Sequence, residues 1–289
     1  MNTRAGDAHD SLPEQASIGR VRLRVADVDR SREFYVERLG LVVYDATAGS
    51  ASFGPPGGET IVRVDATPGT RRRPEGTQGL YHFAILFPDR PSLARVIAHL
   101  HDAQWPFQGF ADHGVSEAAY LADPDGNGVE LYVDRPRAQW TSADGSIVMY
   151  SKPLDMRSLL ALADASGGPS LPPAATRIGH VHLHVGDLVQ TESFWGNVIG
   201  FDIMTRDYPG ALFLAAGGYH HHLGANTWAR NRNRPDDVAS LLDFVIRTGS
   251  MAGVAALRER IERARIAYHD TNEGLHVEDY EGNGVIIAA

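Results

Sequence analysis

The 289-residue chain contains no cysteine, which excludes disulfide bonds, thiolate metal sites and a cysteine nucleophile. A site for Fe(II) or Mn(II) would therefore contain none of the soft ligands that favour zinc or copper. The sequence also lacks a run of 18 or more apolar residues, so no membrane-spanning helix is expected. The N-terminal segment is polar and acidic in balance, unlike a signal peptide. These absences predict a soluble, cytoplasmic protein.

Long basic runs are missing too, and the formal net charge is −9. This balance argues against nucleic acid or an anionic membrane as a partner. Arg71, Arg72 and Arg73 form the single cationic cluster, which we interpret as part of a solvated loop. The length suits two domains of ordinary size. The sequence leaves open whether the protein is a homo-oligomer.

The chain consists of two copies of one pattern, offset by 160 residues at the start of each copy and by 156 at its end. The segment 123–130, Asp-Pro-Asp-Gly-Asn-Gly-Val-Glu, returns at 279–286 as Asp-Tyr-Glu-Gly-Asn-Gly-Val-Ile. The repeat predicts a first domain at 17–133 and a second at 177–289. We expect a partly helical linker at 134–176 and a disordered tail at 1–16.

Each copy divides again into two strand–helix–strand–strand–strand modules. Val21, Leu23 and Val25 alternate with arginines, as in a strand with one apolar and one polar face. Asp27 then suits a helix N-cap, and Gly40 suits the end of that helix. The predicted fold class is α+β, with four βαβββ modules forming two open, cupped mixed β-sheets and helices outside.

Three residues of the inner modules form a candidate metal site. His82 lies on a strand with Ala84 and Leu86 on its face and Tyr81, Phe83 and Ile85 on the other. Glu130 lies on the last strand of the same module, and His180 opens the next module. A lone strand histidine is more often a core residue, and Glu130 alone could be the exposed half of a strand, but the combination favours metal binding. Two imidazoles and one carboxylate suit Fe(II) or Mn(II) and leave positions open for a chelating substrate and O₂.

The positions at which the two copies retain these candidate ligands indicate which modules pair. The first copy has Arg20, His82 and Glu130 at the equivalent positions, and the second has His180, Asp243 and Ile286. Neither copy holds two histidines and a carboxylate by itself. We therefore expect the two inner modules to pair across the linker, and the two outer modules to form a second cup without metal. In that cup, Asp243 is expected to pair with Arg20.

Three segments carry a resemblance to a known family: Ile-Gly-His-Val-His-Leu-His-Val at 178–185, Gly-Leu-Tyr-His-Phe-Ala-Ile-Leu at 79–86 and Tyr-Leu-Ala-Asp-Pro-Asp-Gly-Asn-Gly-Val-Glu-Leu-Tyr at 120–132. From Ile18 onward the chain resembles the vicinal oxygen chelate (glyoxalase/bleomycin resistance/dioxygenase) superfamily. Within it, the chain is similar to the type I extradiol dioxygenases, the catechol-2,3-dioxygenase group. Familiar members place all three ligands in the second copy, whereas this chain has them in its middle.

The resemblance implies a metal held by His82, Glu130 and His180, either Fe(II) or Mn(II). It also implies that Tyr120 and His113 contact the hydroxyls of a small aromatic diol, which O₂ cleaves beside the diol. An acid–base histidine falls within the run His220–His222, and alignment on Phe213 selects His221, while a one-residue slip would select its neighbours. His182 and His184 share the face of His180, and we interpret them as solvated strand histidines.

Two other functions remain open from the sequence. The first is a glyoxalase-like lyase or isomerase of the same superfamily, although such enzymes usually have four protein ligands. The second is a metal-free small-molecule binding or resistance protein, which generally lacks the ligand histidines. The accepted ring substituents and the choice between Fe(II) and Mn(II) are also undetermined.

Overall fold

The computed structural model of the chain describes residues 11–141, 147–166 and 171–289, and within them the four predicted modules are present. The strands are β1 Ser17–Val25, β2 Val42–Ala46, β3 Ser50–Gly54, β4 Val62–Ala66, β5 Gly79–Phe87, β6 Phe107–Asp112, β7 Ser116–Ala122, β8 Gly128–Asp134, β9 Arg177–His184, β10 Asp202–Thr205, β11 Ala211–Ala215, β12 Leu223–Asn226, β13 Ser240–Arg247, β14 Tyr268–Asp270, β15 Leu275–Glu278 and β16 Gly284–Ala288.

Four of the described α-helices each follow the first strand of a module, and a fifth lies in the linker. They are α1 Val28–Arg32, α2 Arg90–Asp102, α3 Met156–Ser166 in the linker, α4 Leu188–Thr191 and α5 Met251–Arg263. Helices α1 and α4 continue as π-helical segments, Glu33–Arg38 and Glu192–Ile199. None of the described helices is long and apolar enough to cross a membrane.

The strands form two open eight-stranded sheets, which confirms the predicted α+β class. One sheet has the order β14-β15-β16-β13-β1-β4-β3-β2 and joins the two outer modules. The other has the order β10-β11-β12-β9-β5-β8-β7-β6 and joins the two inner modules. Antiparallel pairs β1–β13 and β5–β9 make the joints. The prediction that modules pair inner with inner and outer with outer is therefore confirmed.

The helix starts and ends agree with the sequence pattern. The Asp27 carboxylate accepts a hydrogen bond from the backbone N–H of Arg30 at 2.9 Å, and Asp187 caps α4 in the same way. Gly40 and Gly200 follow the two π-helical segments with φ angles of +73° and +96°, a left-handed conformation that glycine adopts without steric cost. Local capping therefore sets where each of these helices begins and ends.

Side-chain hydrogen bonds connect the two modules within each copy. The Tyr35 hydroxyl donates to Asp123 at 3.2 Å, and the Trp195 indole N–H donates to Asp279 at 3.3 Å. Each bond joins a π-helical segment to the turn before the last strand of the following module. The sheets thus join modules of different copies, while these bonds join modules of one copy. The domain bounds 17–133 and 177–289 stay a prediction.

The segments outside the two copies also contact the folded modules. Residues 1–10 of the predicted N-terminal tail lie outside the described residues, whereas Leu12 and Ala16 are buried in the core. In the linker, the backbones of Lys152 and Asp112 form a bridge. Helix α3 agrees with the expectation of a partly helical linker.

The interpretation of the arginine cluster as a solvated loop is wrong for Arg73. Arg71 is exposed and pairs with Asp237. Arg73 is buried, and its guanidinium donates to the backbone carbonyls of Thr77 and Gln78 at 2.9 and 3.0 Å. Burial, and then the charge of a neighbouring arginine, lower the pKa of Arg73 to about 10. This side chain ties together the loop that enters β5.

An ion-pair network occupies the position in the outer sheet that corresponds to the candidate metal site. Arg20, equivalent to His180, donates to Asp243, equivalent to His82, at 2.7 Å, as expected from the sequence. Glu273 accepts from Arg20 at 2.9 Å, and Arg22 lies 3.5 Å from Asp243. Ile286, at the position of Glu130, is buried and offers no ligand. At the positions where the inner sheet has candidate metal ligands, the outer sheet therefore has a network of ion pairs.

Removing either partner of the Arg20–Asp243 pair should destabilise the fold. Arg20→Met leaves the buried Asp243 without its nearest cation, and we expect it to lower the free energy of unfolding by about 3–5 kcal/mol. Asp243→Leu should cost less, because Arg20 keeps Glu273 as a partner. The double variant should lose less than the sum of the two, because it leaves neither charge alone. Urea unfolding of the four proteins measures this cycle.

The exposed pair of Arg71 and Asp237 provides the matched control. Arg71→Met should cost about 0–1 kcal/mol, since water solvates both charges. Additive losses in the Arg20–Asp243 cycle would contradict an interaction between these two side chains.

Candidate functional site

Four residues lie in one row across the inner sheet. His180 on β9 is the cross-strand partner of Ala84 on β5, Ala84 is the partner of Glu130 on β8, and Glu130 is the partner of Tyr120 on β7. Cross-strand partners share a face of the sheet, so all four side chains belong to the concave face. Ala84 is the small member of the row, and it leaves space between the side chains of Glu130 and His180.

His82 lies on the same strand as Ala84 and completes a triad of ligand atoms. The Nε2 atoms of His82 and His180 are 2.9 and 3.1 Å from the same Glu130 oxygen and 3.3 Å from each other. Two ligands at right angles around an ion, each at about 2.1 Å, would be separated by about 3.0 Å. The three separations therefore fit one triangular face of an octahedral metal site. Among the described residues, this is the one group of three such ligands that comes together.

Burial and charge favour the metal-binding protonation states. Burial opposes ionisation of Glu130, but the charges and hydrogen bonds of His180 and His82 hold the pKa of this carboxyl well below its usual range. Burial lowers the pKa of His180 to about 4, so its imidazole is neutral at pH 7. The Nδ1 atoms of His82 and His180 have no hydrogen-bond partner within the described chain. A carboxylate and two neutral imidazoles are the forms that bind a cation.

A cavity of about 180 Å³ opens above the triad. Its walls come from both inner modules and from the linker, and they include many aromatic rings. They comprise Tyr81, His82, His113, Val115, Ser116, Tyr120, Glu130, Met149, Tyr150, Ser151, His182, Tyr208, Phe213, His221 and Trp228. His180 lies deeper and packs beneath His221, with ring centroids 4.1 Å apart and the ring planes tilted by 45°.

The placement of Tyr81 corrects an expectation from the strand pattern. Simple alternation put Tyr81 on the face opposite His82. A register shift between Leu80 and His82 in the β5–β9 pair interrupts the alternation, and Tyr81 joins the cavity wall beside His82. Such a bulge inserts one extra residue and redirects a side chain. No local signal in the sequence marks it, because it depends on pairing with β9.

Tyr120 and His113, both predicted from the family resemblance, are in direct contact. The Tyr120 hydroxyl is 2.7 Å from Nε2 of His113, whose Nδ1 is 2.8 Å from the Tyr150 carbonyl oxygen. A carbonyl only accepts, so Nδ1 carries the proton and Nε2 of neutral His113 accepts from the tyrosine O–H. His113 thus fixes the direction of the Tyr120 hydroxyl. The linker residue Tyr150 was not foreseen from the sequence.

The interpretation of His182 and His184 as solvated strand histidines is wrong. Both are buried, and the side chain of Asn226 connects them. The backbone N–H of Trp228 donates to Oδ1 of Asn226 at 3.0 Å, which fixes the amide orientation. The Asn226 amino group then donates to Nε2 of His182 at 2.9 Å, and Nδ1 of His184 donates to Oδ1 at 2.6 Å. His182 also lines the cavity.

The run His220–His222 lies in a turn before β12, not on the strand that the sequence suggested. His221 is the member that lines the cavity. His220 contacts Asp134 through Nε2 at 2.9 Å, and His222 accepts from the backbone N–H of Ala216 at 3.2 Å. Burial, followed by the charges of neighbouring histidines, holds the pKa of His221 well below its usual value. The structure thus brings His221 to the triad and directs its neighbours elsewhere.

The fold and site define a class of protein: open cups of βαβββ modules that hold a metal-ligand triad. A family model described as the Glyoxalase/Bleomycin resistance protein/Dioxygenase superfamily matches residues 17–131. The chain is 38% identical over 276 residues to a catechol-2,3-dioxygenase of Bacillus subtilis (strain 168), covering 93% of this chain and 95% of that protein. The chain belongs to the glyoxalase/bleomycin resistance protein/dioxygenase superfamily, and its resemblance to that family is confirmed.

Two further comparisons agree with this assignment. Biphenyl-2,3-diol 1,2-dioxygenase 3 of Rhodococcus globerulus is 34% identical over 114 residues, which cover 35% of this chain and 55% of that protein. The crystal structure of glyoxalase I from Zea mays superimposes with a TM-score of 0.56 at 17% identity, covering 94% of this chain and 92% of that one. The latter likeness concerns the fold. The near full-length match groups the chain with the dioxygenases of the superfamily.

The space above Ala84 provides a test of the metal site. Ala84→Val adds two methyl groups between Glu130 and His180, so we expect Mn(II) affinity to fall on the order of 10–100-fold, as when a residue that supports a metal site is changed. Ala84→Gly keeps the space and should bind Mn(II) like the wild type. Calorimetric titration measures both, and circular dichroism checks the fold. Equal affinity in the valine variant would show that the cation binds elsewhere.

Proposed function

We propose that the protein is an extradiol ring-cleavage dioxygenase that uses O₂ to open the ring of a catechol-type aromatic diol. The observation that carries the proposal is the convergence of His82, Glu130 and His180 beside an aromatic-lined cavity that also contains Tyr120 and His221. Substrate binding, orientation and proton transfer can then all take place at one wall of the cavity.

Fe(II) is the proposed metal, with Mn(II) as the alternative. Two histidines and one carboxylate on one face of an octahedron are the ligand set of non-haem Fe(II) oxygenases. With one negative ligand, the site keeps a net charge of +1, which favours a chelating catecholate. When bound, the metal supplies open positions for the two diol oxygens and O₂. The absence of cysteine in the sequence agrees with this choice.

The cavity suits a single aromatic ring. Its volume is about 180 Å³, and an apolar cavity of about 150 Å³ is large enough to bind benzene. Tyr81, Phe213 and Trp228 provide ring faces and edges on the walls. These surfaces exclude water from the ring while the triad side stays polar. The combination favours a flat substrate with oxygens at one edge.

Tyr120 and His113 are proposed to orient the diol. His113 already accepts the Tyr120 O–H, so the tyrosine oxygen keeps its lone pairs for a hydroxyl of the substrate. Burial, and then the charge of Glu130, raise the pKa of Tyr120 well above its usual value, so the phenol stays protonated. In this arrangement Tyr120 contacts the substrate, and His113 acts through Tyr120.

His221 is the proposed acid–base residue. Because its pKa is held well below the usual value, its imidazole is neutral at pH 7 and can accept a proton from the diol. The protonated imidazole of His221 would then return that proton to an oxygen of the substrate. His221 lies beside His180, so the proton is held next to the reacting oxygens.

Oxygen consumption tests the proposal directly. After anaerobic loading with Fe(II), catechol should trigger uptake of one O₂ per diol and formation of a yellow ring-opened semialdehyde. A parallel Mn(II)-loaded sample decides between the two metals. A His82→Gln variant is the control and should show neither metal binding nor uptake, since a ligand is lost.

Three other outcomes would contradict the proposal. A purified protein that binds no divalent metal would favour a binding module. Stoichiometric metal without oxygen uptake from catechol or alkylcatechols would exclude ring cleavage of these diols. Conversion of a methylglyoxal–glutathione adduct would instead favour the lyase.

Replacing His221 separates proton transfer from metal binding. We expect His221→Gln to lower kcat on the order of 10²–10⁴-fold, because general acid–base catalysis is lost. Its Fe(II) content should match that of the wild type, since His221 is not one of the three ligands. Steady-state oxygen electrode assays and metal analysis of the same preparation measure the two quantities. Unchanged kcat would remove His221 from the mechanism.

A further inference from the structure

A chain of hydrogen bonds runs from the cavity histidine to a carboxylate outside it. Nδ1 of His221 is 2.8 Å from Nδ1 of His220, and Nε2 of His220 is 2.9 Å from an oxygen of Asp134. His220 is fully buried, and the ring of Trp140 packs against it with centroids 5.0 Å apart. None of these contacts takes part in holding the metal or in lining the cavity, except through His221.

The proton positions along this chain follow from the acceptor at its end. The Asp134 carboxylate only accepts, so Nε2 of His220 carries a proton and donates it. When the His220 ring carries this one proton, its Nδ1 has only a lone pair and accepts from Nδ1–H of His221. The second nitrogen of neutral His221, Nε2, is left without a proton. His221 therefore presents a bare Nε2 to the cavity that it lines.

Tyrosines on the other side of Asp134 reinforce this direction. The Tyr219 hydroxyl donates to both Asp134 oxygens, at 3.1 and 3.0 Å. The Tyr132 hydroxyl lies 2.8 Å from that of Tyr219, whose own proton is engaged, so Tyr132 is the donor. Each hydrogen bond of the network has its hydrogen on the side away from Asp134, so the carboxylate at the centre accepts from both sides and fixes which atom donates in every bond.

We propose that Asp134 and His220 are positioning residues that hold His221 in the tautomer whose Nε2 is ready to accept a proton. The inference rests on the proposed function in one respect, namely the role of His221 as the base for the diol. The tautomer itself is a property of the folded chain and is measurable without turnover.

The decisive variant is Asp134→Leu, which keeps the approximate size of the side chain and removes both acceptor oxygens. One oxygen of Asp134 accepts from both His220 and Tyr219, so an amide oxygen at that place still holds the His220 proton on Nε2. In the leucine variant Nε2 of His220 has no acceptor, and the proton is free to occupy either ring nitrogen. His221 then exchanges between its two tautomers, and the fraction with the proton on Nε2 is the wrong form for a base.

Nitrogen-15 NMR of histidine-labelled protein reads the tautomer. Spectra are recorded on the metal-free protein and on protein loaded with Zn(II), which has no redox chemistry. His221 is assigned by comparison with His221→Gln. The wild type should show a protonated Nδ1 and a bare Nε2, and Asp134→Leu should show the proton shared between the two nitrogens. A wild-type His221 with its proton on Nε2 overturns the inference, whatever the activity.

Kinetics of the Fe(II)-loaded proteins give the second readout. Asp134→Leu should lower kcat in proportion to the fraction of His221 rings that have lost the bare Nε2 in the NMR spectra, with unchanged KM for catechol and unchanged metal content. Asp237→Leu, at an exposed carboxylate paired with Arg71, is the control and should behave like the wild type. A mixed tautomer population with full kcat would also overturn the proposal.

A second variant and the NMR spectra cover the cases in which Asp134→Leu does not fold or the protein opens no ring. If Asp134→Leu fails to fold, His220→Phe removes both ring nitrogens from the chain and should lower kcat with KM unchanged; wild-type kcat in that variant overturns the role of His220. If the wild type opens no diol ring, the proposed function fails. The NMR spectra then still decide whether Asp134 sets the tautomer.

Discussion

The antiparallel pairing of β5 with β9 is the constraint on which the site depends. It joins strands on opposite sides of the linker and sets His180 opposite Ala84. Ala84 in turn is the partner of Glu130, so His180 and Glu130 lie on the two strands that flank β5. A shift of one residue would turn the imidazole to the other face of the sheet. The small side chain of Ala84 matters as much as the ligands, because it keeps the space between them open. Register and residue size together bring three ordinary side chains into a candidate cation site.

The two sheets show how one scaffold carries two kinds of charge balance. In the inner sheet a single carboxylate faces two imidazoles, a set that is completed by a cation. In the outer sheet the Arg20 guanidinium supplies the positive charge permanently, and Asp243 with Glu273 balances it. The outer pair needs no ligand to be satisfied, which fits a structural role. Equivalent positions of the two sheets thus hold an ion-pair network in one and a candidate cation site in the other.

The strand positions and the pairing of the modules could be predicted, because both depend on which residues recur at a fixed spacing in the sequence. The repeat offset located the strands, and the uneven survival of ligands at positions 82, 130 and 180 predicted the unusual pairing of modules. The remaining features depend on contacts between distant segments. The bulge at Tyr81 exists only in register with β9, and Tyr150 reaches the cavity because the linker backbone bridges to Asp112. The irregular backbone at His220–His222 brings His220 to Asp134, a contact between distant segments that the strand pattern alone does not contain.

The sheet order also has a consequence for biosynthesis. The inner sheet is complete once residue 226 has been made, whereas β1 must wait for β13, at residues 240–247, to find its partner. Contacts so distant in sequence form slowly, and an unpaired strand edge invites association with other chains. While the chain leaves the ribosome, β1 therefore has an open hydrogen-bonding edge on the side that β13 later covers. Its alternating arginines keep that nascent edge charged, a protection against aggregation before the last module emerges.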